Sequence, residues 1–127
     1  MSHIVSIKTR VTDAAVLAVA CRRLGISEPE LGTAKLYSGS ANGLLIQLPG
    51  WHYPAVVNVA AGTIAFDNFG GAWGAQAELD RLLQAYACEK ARIEARRAGH
   101  TVTEQPQADG SIKLTIQVGS GIGGGAA

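Results

Sequence analysis

The stretch from Leu44 to Phe66 reads LLIQLPGWHYPAVVNVAAGTIAF and decides the fold of this chain. It contains short apolar segments of strand length, separated by Pro49-Gly50 and Ala61-Gly62, which favour turns. Segments joined by such short connections usually pair as antiparallel neighbours. We therefore predict a meander here. Its strands are expected at 44–48, 55–59 and 63–66.

One more strand is predicted just before this meander. Ala34 to Tyr37 is the candidate strand, and Ser38 to Gly43 is the candidate turn. Asn42-Gly43 is the main signal, because a tight hairpin turn with positive φ at both central residues suits that pair. Residues 26–33 contain Glu28-Pro29-Glu30 and show no clear period, so they are predicted to form a loop.

Two helices are predicted on either side of these strands. The first covers about residues 13–24, with Thr12 or Asp13 as its cap and Gly25 after its end. The second follows the glycine-rich segment Gly70 to Gly74 and covers about residues 75–98. One side of its helical wheel is apolar, with Leu79, Leu82, Leu83, Tyr86 and Ile93.

Both ends of the predicted domain are also expected to be strands. Ile4 to Val11 is rich in β-branched residues, and its apolar side chains on both sides call for a paired or central strand. Near the other end, 101–104 and 112–118 should form a hairpin. In its second strand every other residue is apolar, which predicts one face on the core and one in water.

These elements predict a single α+β domain over residues 1–118. It should hold an antiparallel sheet of about five to seven strands with two helices on one face, as a ferredoxin-like variant with extra strands. Residues 119–127 contain several glycines and little apolar surface. We expect them to form a flexible glycine-rich tail.

Composition limits the classes of function. The formal net charge is +1, which does not suggest binding to nucleic acid. The apolar runs are far shorter than the roughly 20 residues that span a bilayer, and the expected strand at the start leaves no room for a signal peptide. We therefore expect a soluble, cytoplasmic protein. Cys21 and Cys88 lie in different predicted helices and are expected to be buried core residues, although a disulfide between packed helices stays open.

Searches for catalytic and metal motifs give little. His3, His52 and His100 form no close pair, so no metal site is expected, and no cofactor motif is present. The loop at Gly70–Gly74 lacks the spacing of nucleotide-binding loops. Asp67 stands out because it lies between Phe66 and Phe69, where a dry environment could perturb a carboxylate. A turn formed by the Asp67-Asn68 pair at a strand end is the more ordinary explanation and is favoured.

Aromatic residues offer a different kind of site. Five of them, Trp51, His52, Tyr53, Phe69 and Trp73, could cluster as an exposed anchor for a protein partner. The same residues could also belong to the core. For Trp51 and Tyr53 the two alternatives are equally favoured, whereas Trp73 following a glycine pair fits a core position better.

Several separated segments resemble one known family. They are Met1 to Thr9 with the capping segment Val11-Thr12-Asp13, Tyr86-Ala87, Gly99-His100-Thr101-Val102 and Asp109-Gly110-Ser111-Ile112. Together they resemble the hypothetical chloroplast reading frame 35 family, a domain of unknown function of cyanobacteria, algal plastids and scattered bacteria. The resemblance fades in the middle third and brings no residue roles, for His3 or for any other position. It implies an AAA-type ATPase as a possible partner.

The sequence therefore supports two hypotheses. The first is a non-enzymatic interaction or assembly module that binds itself or another protein, with Trp51, His52, Tyr53 and Trp73 as candidate contacts. The second is a small-molecule-binding protein or enzyme, with a site near His3, Asp67, Asn68 and the Gly70–Gly74 loop. A flat aromatic patch would favour the first, and a tight pocket at the loop would favour the second.

Overall fold

The computed structural model describes residues 3–119, so the predicted tail lies outside the described residues apart from Gly119. The elements follow one another as β1 Val5–Lys8, α1 Ala14–Arg23, β2 Glu30–Lys35, β3 Ser40–Ile46, β4 Ala55–Asn58, β5 Thr63–Phe66, α2 Gln76–Arg97, β6 Thr101–Pro106 and β7 Ile112–Gln117. The predicted α+β fold is confirmed: five strands form one antiparallel sheet and two form a separate hairpin. The observed helices differ from the predicted ones by one residue at each end.

The five-stranded sheet has the order β1-β5-β4-β3-β2. Strands β2 to β5 pair in sequence order, as the short connections predict. β1 then pairs antiparallel with β5, with Val5 opposite Phe66. It is paired as expected, but it lies at the edge of the sheet. This pairing places the start of the chain beside the loop that follows Phe66.

One face of the sheet packs against both helices. Leu17 from α1, Leu79 from α2 and Ile64 from β5 are completely buried in the same cluster. Since successive strand residues point to opposite faces, the alternate residues of β4 separate cleanly: Val57 joins this cluster, and Val56 faces the other side. The main core therefore lies between the sheet and the two helices.

The hydroxyl of Tyr86 joins the two helices. It accepts hydrogen bonds from the backbone N–H groups of Thr12 (3.3 Å) and Asp13 (3.1 Å), just before α1 begins. Asp13 is the predicted cap: its Oδ1 accepts from Ala15 N and Val16 N. The hydrogen bond from Val16 N is the main cause that lowers the pKa of Asp13, and the charge of Lys90 and the bond from Ala15 N add to it. Both bonds satisfy N–H groups that have no partner inside the helix.

The β2–β3 hairpin bends over the second face of the sheet. Gly32 and Gly43 lie opposite each other at the point where the hairpin extends past β4. Gly43 has a φ of 153°, and a Cβ there would lie 2.5 Å from the carbonyl oxygen of Val57. Only glycine can therefore occupy this position, and a facing pair of glycines permits a sharp bend.

The bent hairpin covers a second, smaller cluster of buried residues. Leu36 and Val56 are nearly completely buried there, with Ile4 packed against them. A Cβ on Gly39, at the hairpin tip, would lie 3.3 Å from Ile4 Cδ1. The hairpin tip therefore reaches across the sheet to the first strand.

This hairpin differs from its predicted form. Residues 30–33 belong to β2 rather than to a loop, and Asn42 and Gly43 lie inside β3 rather than in a turn. The turn is at Leu36–Gly39, closed by a 2.7 Å hydrogen bond from Leu36 N to Gly39 O. The Asn42-Gly43 prediction is wrong because the close approach of β4 requires a glycine at position 43. In the sequence, a glycine required for this reason looks the same as a glycine that forms a turn.

The terminal hairpin packs against α2 instead of joining the main sheet. An ion-pair network holds it: Glu104 on β6 bonds to Arg92 at 2.9 Å and to Arg23, which also bonds to Glu89 at 2.8 Å. The predicted alternation of β7 holds only in part. Ile112 is half-buried, whereas Ile116 near the end of the strand is 46% exposed, since only one end of the hairpin packs closely on the domain.

Candidate functional site

Two loops at one end of the sheet are joined by backbone hydrogen bonds. His52 N, in the loop between β3 and β4, donates to Trp73 O at 2.7 Å. Trp73 N, in the loop between β5 and α2, donates to Asn68 O at 2.9 Å. These bonds fix the two aromatic side chains beside each other, with 5.7 Å between their ring centroids.

Trp73 lies at the centre of a group of aromatic rings. Its ring centroid is 4.7 Å from that of Phe69, 5.4 Å from Tyr37 and 5.8 Å from Tyr53. His52 packs edge-on against Tyr53 at 4.6 Å. We call these five residues the aromatic cluster. Offset and edge-on arrangements at such distances are favourable for aromatic pairs.

Much of the aromatic cluster faces solvent. Tyr37 is 61% exposed and Phe69 is 42% exposed, and both belong to the small group of large hydrophobic residues at the protein surface. His52 is also exposed, while Tyr53 and Trp73 are half-buried beneath them. The cluster therefore forms a contiguous aromatic surface, and Tyr53 joins it to the smaller cluster of buried residues.

Trp51 does not belong to this surface, which corrects its assignment as a candidate contact. It is 4% exposed and packs edge-on against Phe66 in the main core. Its Nε1 donates to Ala75 O at 2.9 Å, and a Cβ on Gly74 would lie 2.5 Å from the indole ring. The β5–α2 loop therefore packs on the indole ring, and position 74 must be glycine because the backbone comes closest to the ring there.

Sequence reasoning missed Tyr37. Tyr37 reaches Trp73 only because the β2–β3 hairpin bends at its glycine pair. Phe69 has a φ of 48°, an unusual conformation for a residue with a side chain. Phe69 is one of the residues predicted to join the aromatic anchor, and its ring lies beside that of Trp73.

The structure also brings together His3, Asp67 and Asn68, the residues of the alternative site. All three line one cavity of about 310 Å³, together with apolar groups of Val5, Phe66 and Phe69. The pairing of β1 with β5 creates this proximity, since His3 precedes β1 and Asp67 follows β5. His52 belongs to the aromatic cluster and not to this cavity wall.

Asp67 has an unusual environment. It is 1% exposed, and its Oδ1 accepts a long hydrogen bond of 3.4 Å from Phe69 N. Its Oδ2 is buried and has no hydrogen-bond partner among residues 3–119. Beside it, Asn68 Nδ2 donates to Gly74 O at 3.1 Å. Buried carboxylate oxygens usually have partners, so this oxygen requires an explanation.

His100 and the two cysteines have surroundings that suit a structural role. His100 Nδ1 accepts from Gly119 N at 3.0 Å, close to the end of α2. Cys21 and Cys88 are buried and free, and burial raises the pKa of the Cys21 thiol to about 11. Within residues 3–119, no three potential metal ligands lie close enough together to hold an ion, and neither helix is long and apolar enough to cross a membrane.

No protein-family model, curated protein or solved structure matches this chain. The resemblance to the hypothetical chloroplast reading frame 35 family therefore stays a prediction.

Proposed function

We propose that this protein is an interaction module that docks another protein on its aromatic cluster. The exposure of Tyr37 and Phe69 around a central Trp73 is the observation that carries this proposal. Tyrosine and tryptophan are enriched among the residues that dominate binding energy at interfaces, because they offer large rigid surfaces at low entropic cost.

The construction of the cluster supports the proposal. Trp51 belongs to the loop between β3 and β4, and its Nε1 bonds to Ala75 O at the end of the loop between β5 and α2. The hydrogen bond from His52 N to Trp73 O joins the same two loops. The rings are therefore held in place before a partner arrives, and binding loses less conformational freedom. An exposed apolar surface of this kind is unfavourable in water unless a partner covers it.

Self-association and an AAA-type ATPase are the two partner classes to examine first. The former follows from the exposed surface itself, and the latter rests on the family resemblance alone. An enzyme or small-molecule-binding protein remains the second candidate. The observation that favours it is Oδ2 of Asp67, which has no partner in the part of the chain that the structure describes.

Quantitative affinity capture tests the docking function. The purified chain is used as bait in an extract of the source organism, and bound proteins are compared by mass spectrometry with those of Tyr37→Ser. Leu31→Ser is the matched control, because Leu31 is 83% exposed and lies near the start of β2, before the bend at Gly32, whereas Tyr37 lies in the turn after β2. Light scattering of the same three proteins reports self-association.

We expect at least one partner, or the self-associated form, to be lost in Tyr37→Ser and retained in Leu31→Ser. A ten-fold or greater loss is reasonable for an aromatic residue at the centre of an interface. Equal capture and equal assembly by all three proteins would contradict docking on the aromatic cluster.

A further inference from the structure

The cavity beside the aromatic cluster is lined by Asp67, whose Oδ2 is the one buried side-chain oxygen without a partner in residues 3–119. A buried carboxylate oxygen without a hydrogen bond is costly. His3 lines the same cavity but does not bond to this oxygen. The position thus calls for a donor from outside the described chain, and the natural complement of a carboxylate is a positively charged nitrogen.

The other walls of the cavity match an apolar stem. Val5, Phe66 and Phe69 contribute hydrocarbon surface, and Asn68 and Gln76 are the neutral polar residues of the wall. A lysine side chain combines these features, since four methylene groups lead to one charged head. The cavity also lies next to the aromatic cluster, because Phe69 belongs to both.

The hydrogen bonding of Asp67 discriminates between lysine and arginine. Arginine binds carboxylates best through two parallel hydrogen bonds, which need both oxygens. Oδ1 of Asp67 already accepts from Phe69 N, so within residues 3–119 only Oδ2 lacks a partner. A single charged head is the better match.

We propose that the cavity receives the ammonium group of a lysine side chain from the protein that docks on the aromatic cluster. This inference rests on the proposed function and specifies the partner: a lysine lies next to the apolar residues that cover Phe69 and Trp73. The lysine head bonds to Oδ2 of Asp67, and its stem packs against Phe66 and Phe69.

The test is an NMR titration of the full chain with Nα-acetyl-lysine N-methylamide. The matched probes are the norleucine analogue, which keeps the stem without the charge, and the arginine analogue. A ligand this small should bind with a dissociation constant on the order of 1 mM. We expect saturable shifts of the Asn68, Phe69 and Gly70 amide signals with the lysine probe, weaker ones with arginine and none with norleucine. Asp67→Asn should weaken lysine binding about ten-fold or more.

Several results would overturn this assignment. They include equal binding of norleucine, tighter binding of arginine, no shifts with lysine, and unchanged lysine binding in Asp67→Asn. Tighter binding of a free diamine such as 1,4-diaminobutane would assign the cavity to a small amine instead of a partner side chain. A lower thermal midpoint of Asp67→Asn would also count against it, because it would give the carboxylate a structural role.

The two proposals fail separately. Tyr37 does not line the cavity, so Tyr37→Ser should abolish partner capture and leave binding of the lysine probe unchanged. If the probe binds but capture is insensitive to Tyr37→Ser, the docking surface is wrong and the cavity stands as a lysine site only. If capture depends on Tyr37 and the probe does not bind, the cavity assignment alone is wrong.

Discussion

The substitution Tyr86→Phe removes one oxygen atom and should measurably destabilise the fold. The Tyr86 hydroxyl accepts from Thr12 N at 3.3 Å and from Asp13 N at 3.1 Å, and the residue is 4% exposed. Phenylalanine fills the same space for the ring but leaves both N–H groups without this acceptor. Each such bond contributes about 0.5–1.5 kcal/mol, so the expected loss of unfolding free energy is about 1–3 kcal/mol.

Equilibrium unfolding in urea measures this loss. With an m-value of about 1.5 kcal/mol/M, a loss of 2 kcal/mol lowers the midpoint by about 1.3 M. Tyr37→Phe is the matched control, because it makes the same chemical change at a residue that is 61% exposed. It should stay within about 0.5 kcal/mol of the original chain. Equal midpoints for Tyr86→Phe and Tyr37→Phe would refute the role of this hydroxyl at the start of α1.

Three further predictions concern the cap, the ion-pair network and the loop. Asp13→Ala should lower the unfolding free energy by about 1 kcal/mol, and Asp13→Ser should recover most of it, as measured in urea. The pKa of Glu104 is lowered, chiefly by its hydrogen bonds to Arg23. Its contribution to the unfolding free energy is therefore complete at neutral pH, and it is lost as the pH falls from near 4.5 through the lower folded-state pKa. Glu104→Gln should therefore flatten the fall in thermal midpoint over this acidic range, and an unchanged slope would contradict the assignment. Gly74→Ala should cost about 1–3 kcal/mol, because its Cβ would overlap the Trp51 ring, and tryptophan fluorescence should shift with it.

Local signals predicted most of the elements correctly. The meander at β4 and β5 followed from apolar segments bounded by turn residues, and the start of α1 followed from Asp13, whose side chain does cap the helix. Such features depend on a few neighbouring residues, so the sequence contains the necessary information. The α+β class followed from the order of the elements.

The bend of the β2–β3 hairpin could not be predicted in the same way. Gly43 was interpreted through its neighbour Asn42 as part of a turn, whereas the structure needs a glycine because the Val57 carbonyl lies so close. That requirement depends on a strand many residues away. The position of Tyr37 in the aromatic cluster depends on this bend, so Tyr37 was missed as well.

The candidate sites show the same division between local and long-range information. Asp67 was singled out by its aromatic neighbours in sequence, but its unpartnered Oδ2 and its proximity to His3 depend on β1 pairing with β5. Trp51 and His52 are adjacent in sequence and were predicted to act together. The turn around Trp51 sends its indole into the core and leaves the His52 ring at the surface, which no local pattern distinguishes.

Site-specific photocrosslinking in living cells tests docking on the aromatic cluster most directly. A photoreactive phenylalanine analogue is placed at Tyr37 in one version of the chain and at Leu31 in another, and crosslinked proteins are identified by mass spectrometry. Both positions are largely exposed, so the crosslinker is accessible at either one in the free protein. The account predicts a discrete crosslinked partner, or a crosslinked second copy of this chain, from position 37 and none from position 31. Identical crosslinking patterns from the two positions, or a discrete product from position 31 alone, would contradict it.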